Sequence, residues 1–176
     1  MKERLDEKND IDRTERPGRS RVPAPAWGAL WFSDLAHGTV HRWDGTGEPE
    51  TVIEVPGRAG GLGWLPDGRL LVVSMDGGRV HCLEADGELV VHADLRHVVG
   101  GPVNDMLVDP EGRAYVGNFG FDYHAPSREH PNSMLYAPPG PPGAPLACLA
   151  PDGSLLGLTS PCSSRTGPCS PRTAGA

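Results

Sequence analysis

The sequence predicts an all-β fold, and three observations carry that expectation. Its apolar runs stop at about six residues and are rich in β-branched side chains, the length of strands and not of helices. Gly 24 and Pro 19 among 176 residues punctuate the chain with turns and argue against long helices. The segments also repeat. GALWFSDLAHGTVHRWDG and GRLLVVSMDGGRVHCLEADG align without gaps over most of their length, with Val40-His41 on Val80-His81. Repeats of about 40–50 residues made of short strands and glycine turns are the signature of propeller blades. The expected architecture is a partial β-propeller of four-stranded blades.

The first unit lacks a convincing innermost strand and supplies ALWFSD (29–34), TVHRW (39–43) and TVIEV (51–55). The second is complete, with LGWL (62–65), RLLVV (69–73), RVHCL (79–83) and ELVVHA (88–93). Its turns, PDG, MDGG and EADG, suit tight reversals, because glycine accepts positive φ and aspartate bonds its own backbone. The near-continuous apolar character of RLLVV and ELVVHA is expected where both faces of a sheet pack on neighbours. The third unit opens with VNDMLVD (103–109) and RAYVG (113–117), crosses the Pro-rich insertion FGFDYHAPSREHPNSMLYAPPGPPG, and ends in LACLA and LLGLT. PDG at 66–68 falls on PEG at 110–112, and Cys82 falls on Cys148. A ring of sheets needs at least about four to close, and an open arc leaves two apolar faces in water. The sequence therefore predicts an arc.

Residues 27–158 hold this pattern, and the flanks do not. Residues 1–26 are charged and then rich in Pro and Arg, and 159–176 are rich in Ser, Pro, Arg and Gly, so both are expected to be disordered or atypical. The formal net charge of −7 disfavours nucleic acid and anionic membrane as partners. No apolar run reaches the length of a membrane span, and the N-terminus has no apolar signal region, so a cytoplasmic location is expected. No Cys or His spacing suits zinc; Cys82 and Cys148 read as buried thiols, Cys162 and Cys169 as incidental exposed ones.

Candidate chemistry concentrates in GGPVNDMLVDPEGRAYVGNFGFD, residues 100–122. The innermost strand of a blade lines the propeller axis, so Asn104 and Asp105 at its start reach a central site, and an amide oxygen is a hard ligand of the kind calcium accepts. Either residue would equally serve a turn through a bond to backbone. Asn118, after the next strand, is a second candidate for the channel mouth or for a strand-end turn. His41 and His81 recur at one strand position, which indicates a structural role, and His124 and His130 in the insertion have no metal spacing.

The run GLGWLPDGRLLVVSMDGGRVHCLEADGELVVHADL followed by GPVNDMLVDPEGRAYVGNFGFD resembles the SMP-30/gluconolactonase/LRE-like (regucalcin-like) family. The resemblance is firm from Trp31 to Asp122 and extends weakly to Leu158. It implies a six-bladed propeller, of which this chain would supply about three blades as a shortened member. It also implies calcium, zinc or another divalent cation at the centre and hydrolysis of a small lactone or ester. On the matching positions it makes Asn104 a metal and substrate ligand and Asp105 the adjoining catalytic-site carboxylate that supports the loop; Asn118 is a substrate-side candidate from its position after the strand alone. Two departures stand out. RVPAPAWGALWFSD replaces the family's Gly-Glu-x-Pro-x-Trp segment, with Glu15 too far upstream to serve, and the later ligands would follow Leu158, where the pattern ends. Chemically, a chain without those ligands is expected to bind no ion stably and to be inactive alone, with a non-catalytic module that binds a partner or self-associates through exposed blade faces as the alternative role.

Overall fold

A computed structural model of the chain describes residues 28–121 and 143–160. Expectations for Glu15, His124, His130, Cys162, Cys169 and the flanking segments lie outside the described residues. The described strands are β1 (Leu30–Asp34), β2 (Thr39–Trp43), β3 (Glu50–Glu54), β4 (Ala59–Trp64), β5 (Leu70–Ser74), β6 (Arg79–Leu83), β7 (Leu89–Asp94), β8 (Val103–Val108), β9 (Ala114–Asn118), β10 (Ala147–Leu149) and β11 (Leu155–Leu158). They form one three-stranded sheet, β1-β2-β3, and two four-stranded sheets, β4-β5-β6-β7 and β8-β9-β10-β11. All strand pairs are antiparallel and sequential.

Turn chemistry builds these meanders as the sequence implies. Gly68 and Gly153 take φ of 90° and 85° at equivalent turns, a region closed to most side chains. The aspartate just before each glycine accepts from the backbone two residues on, Arg69 N to Asp67 Oδ1 at 3.1 Å and Ser154 N to Asp152 Oδ1 at 3.0 Å.

The second and third sheets meet through their first strands, β4 beside β8, and β1 of the first sheet, the repeat counterpart of β5, runs beside β4 as β5 runs beside β8. β4 and β8 thus form an inner edge from which β7 and β11 lie farthest across their sheets. Two apolar layers fill the gaps. Leu70 and Val72 of β5 join Val40, Val55, Ala59 and Leu83 between the first and second sheets. Leu71 and Val73 join Val80, Cys82, Val103, Ala114, Val116, Ala147 and Leu149 between the second and third. Strict alternation along β5 thus feeds two cores from one strand, and every residue of it is buried.

Two expectations are corrected. β7 is apolar in sequence but only partly enclosed, with Val91 54% exposed, because it is the last strand of its sheet. Cys148 is half-buried and not sealed like Cys82, because among the described residues its face of the third sheet carries no further sheet. Burial pushes the Cys82 thiol up to about 11, so it is protonated and inert at neutral pH. Among the described residues no helix is long and apolar enough to cross a membrane.

Candidate functional site

The segment that carries Asn104 and Asp105 is shaped by a β-bulge. Val103 pairs with Asn118 and Met106 with Val116, so Asn104 and Asp105 together face the single residue Gly117. A bulge of this kind bends the strand and re-aims its side chains, which is why bulges recur beside functional sites. The second sheet has the same irregularity at the same place. Ala59 pairs with Ser74 and Leu62 with Val72, leaving Gly60 and Gly61 opposite Val73.

The two bulges lie against each other. A Cβ on Gly60 would stand 2.7 Å from Asn104 O, and one on Gly61 would stand 2.4 Å from Met106 N and 2.9 Å from Asp105 Cα. Farther along, a Cβ on Gly63 would meet Val108 Cγ2 at 2.4 Å. Only glycine lets the backbones of β4 and β8 approach this closely. The doublet thereby fixes Asn104 and Asp105 at the shared inner edge of the second and third sheets. The Asn104 amide Nδ2 reaches Asp105 Oδ2 at 3.4 Å, a long contact that leaves the pair open to other partners. Asn104 is half-buried and Asp105 exposed.

Asn118 is placed differently. Its Nδ2 donates to Pro145 O at 2.7 Å, and its Oδ1 accepts from Gly120 N at 2.9 Å. Both ends of the amide are held by backbone, tying the end of β9 to the approach to β10. Removing the side chain leaves a half-buried carbonyl and N–H without that partner. Asn118→Ala is therefore expected to cost about 1–2 kcal/mol in urea denaturation, while Asn104→Ala stays within about 0.5 kcal/mol. Equal losses at both positions would contradict this division of roles.

The histidines divide in the same manner. His41 Nε2 meets Thr39 Oγ1 at 2.8 Å, its Nδ1 meets Thr51 Oγ1 at 3.3 Å, and the ring stacks on Phe32 with centroids 5.2 Å apart. His81 is buried in β6, and burial lowers its pKa, with the Arg79 charge adding to the effect. Both are packing elements of their sheets.

Sequence reasoning missed a cleft of about 620 Å³ at the end of the sheets where β4 and β8 begin. It is lined by Arg58, Met75, Asp76, Arg96, Val99 and Pro102, with three glycines. The signal was available, since these residues sit in the three connections that enter β4, join β5 to β6 and enter β8. Each arginine already meets an acid: Arg58 grips Asp76 through Nε–Oδ2 at 2.9 Å and Nη2–Oδ1 at 2.6 Å, and Arg96 Nε lies 2.9 Å from Asp94 Oδ1. The Arg96 guanidinium holds the Asp94 carboxyl far below the ordinary carboxylate range. Charge at this rim is thus paired internally, and neither Asn104 nor Asp105 is among the residues that line the cleft.

Calcium takes about six to eight oxygen ligands. Among the described residues no three His, Cys, Asp or Glu side chains group to hold an ion, and Asn104 with Asp105 offers one amide and one carboxylate. These residues alone do not fit the cation.

A family model described as SMP-30/Gluconolactonase/LRE-like region matches residues 17–169. The chain belongs to this family. Among curated proteins none matches. Solved structures show the same fold at low identity. A gluconolactonase of Xanthomonas campestris is 22% identical with a TM-score of 0.58, over 76% of this chain and 43% of its own. A calcium-binding regucalcin of Agrobacterium tumefaciens is 14% identical with a TM-score of 0.52, over 74% of this chain and 41% of its own. The chain thus spans well under half the length of the family structures it matches.

Proposed function

We propose that the three sheets are consecutive blades of a β-propeller, about three of six, and that the chain is a piece of a gluconolactonase-like, divalent-metal-dependent hydrolase of small lactones or esters. The bulge that presents Asn104 and Asp105 at the shared inner edge carries this reading, because that edge borders the axis of a ring of such sheets. In it Asn104 faces cation and substrate, Asp105 is the carboxylate that supports it, and Asn118 shapes the rim from its backbone-tied position. The cation, calcium or a relative such as zinc, would polarise the substrate carbonyl when bound. This chain's contribution is one amide oxygen in a fixed position, and the remaining ligands are not supplied by the described residues.

The test is hydrolysis of glucono-δ-lactone by the purified chain across a calcium titration. The expected result is no turnover above the uncatalysed rate. Joined to the missing blades of a gluconolactonase, the chain is expected to gain calcium-dependent turnover that Asn104→Ala lowers by about a hundredfold or more. Calcium-dependent turnover by the chain alone would contradict the incomplete site, and indifference to Asn104→Ala would remove Asn104 from it. A second reading, a non-catalytic module that binds a partner or itself, is favoured by the apolar side chains left open on the third sheet, Leu107 above all at 68% exposure.

A further inference from the structure

Packing inside the chain is directional. The second sheet turns one face to the third and the opposite face to the first. In β5, Leu71 and Val73 face forward to the third sheet, and Leu70 and Val72 face back to the first. The repeat preserves this sense: Val40 of the first sheet faces forward onto the second, as Val80 of the second faces forward onto the third. Ala114, Val116, Ala147 and Leu149 of the third sheet face back.

Among the described residues two faces remain open, and they are of opposite sense. On the first sheet, alternation places Leu30 and Phe32 opposite the core residue Trp31, so they look backward, with Leu30 57% exposed. On the third sheet, Leu107, Tyr115 and Cys148 stand in one row across β8, β9 and β10 and look forward. Tyr115 and Cys148 occupy the repeat positions of Leu71 and Cys82, which are sealed in the second sheet by the third. The forward face thus has the composition of an internal interface and, among the described residues, no sheet on it.

We propose that a second copy of this chain covers both open faces, the third sheet of each chain packing on the first sheet of the other, so that two chains close one ring of six sheets. This rests on reading the sheets as successive blades. The partner is a second copy because the interface required, forward face on backward face, continues the one the chain already makes twice within itself. Such a contact is head-to-tail, and with two copies it closes as a two-fold ring instead of running on as a fibre. The size agrees, since the matched 76% of this chain covers 43% of the Xanthomonas gluconolactonase, and two such matched parts come to somewhat less than that protein's length.

The experiment is sedimentation equilibrium of the 176-residue chain and of two variants, Leu107→Glu and Leu30→Glu, at micromolar concentration. Both side chains are exposed within one chain, so neither change removes an internal contact. The wild type is expected at twice 18.7 kDa. Each variant alone places a charge in both interfaces and is expected to weaken the dimer by about a hundredfold or more. An equimolar mixture is expected to regain dimer, because a mixed pair has one interface with neither substitution. A monomeric wild type, an open series of larger oligomers, or a dimer that Leu107→Glu breaks and Leu30→Glu spares would each overturn the proposal. The blade reading is tested apart from it, within one chain, by the Gly61 substitution below.

Discussion

Gly61→Ala is expected to lower the stability of the chain by about 3 kcal/mol, read as a shift in the urea midpoint with an unchanged slope. The added methyl would stand 2.4 Å from Met106 N and 2.9 Å from Asp105 C and Cα, all backbone atoms of β8. A flexible side chain would swing aside; a strand hydrogen-bonded to β9 cannot. The two sheets must move apart, and the layer containing Leu71, Val73, Val103 and Val116 loosens with them. Gly87→Ala is the control. Gly87 has φ of 90° and nothing within 4 Å of its would-be Cβ, so its cost is backbone strain alone, about 1 kcal/mol. If Gly61→Ala costs no more than Gly87→Ala, β4 and β8 do not meet at the bulge.

Leu71→Ala is expected to cost a similar 2–5 kcal/mol, for the opposite reason. Leu71 has no exposed surface and fills the layer between the second and third sheets. Its removal leaves a cavity between two sheets, each of which is held in its own plane by hydrogen bonds and so closes the gap only in part. Leu35→Ala, at a position 44% exposed, is expected to stay within about 0.5 kcal/mol in the same denaturation series. A small effect at Leu71 would mean that the second and third sheets do not share a core.

Much of this arrangement was legible in the sequence for physical reasons. Short apolar runs ended by Asp-Gly turns define meanders almost without ambiguity, and every expected strand of the described residues is present. RLLVV, apolar at each position after Arg69, announced a strand with cores on both sides, and Leu70 to Val73 are buried toward alternate cores. The boundaries that shifted have a cause. β4 begins at Ala59 and not near Leu62, because Gly60 and Gly61 lack the side chains from which strands are recognised yet sit inside the ladder as a bulge. ELVVHA reads like RLLVV, but its place at the sheet's far edge leaves Val91 in the open, and edge position is a property of topology.

Of the candidate site, the sequence offered Asn104 and Asp105 by type and position, while the device that positions them was not legible. That device is a register shift matched by a second shift in the neighbouring sheet, with two glycines between, and it exists only in three dimensions. Asn118 had two readings in the sequence; the structure shows its amide spanning Pro145 and Gly120, a bond to a residue far along the chain that no local pattern foretells. The open face that exposes Cys148 follows from counting sheets, not from the residues around it.

The close approach of β4 to β8 decides whether Asn104 and Asp105 stand at an inner edge at all. Proton NMR of the native chain reads it directly, through the nuclear Overhauser effect between the Gly61 α-protons and the Met106 amide proton. A strong cross-peak is expected, equal in strength to those between paired strands. Its absence from a chain whose β4–β5 and β8–β9 ladders are intact would contradict the stacked-sheet arrangement and the site built on it.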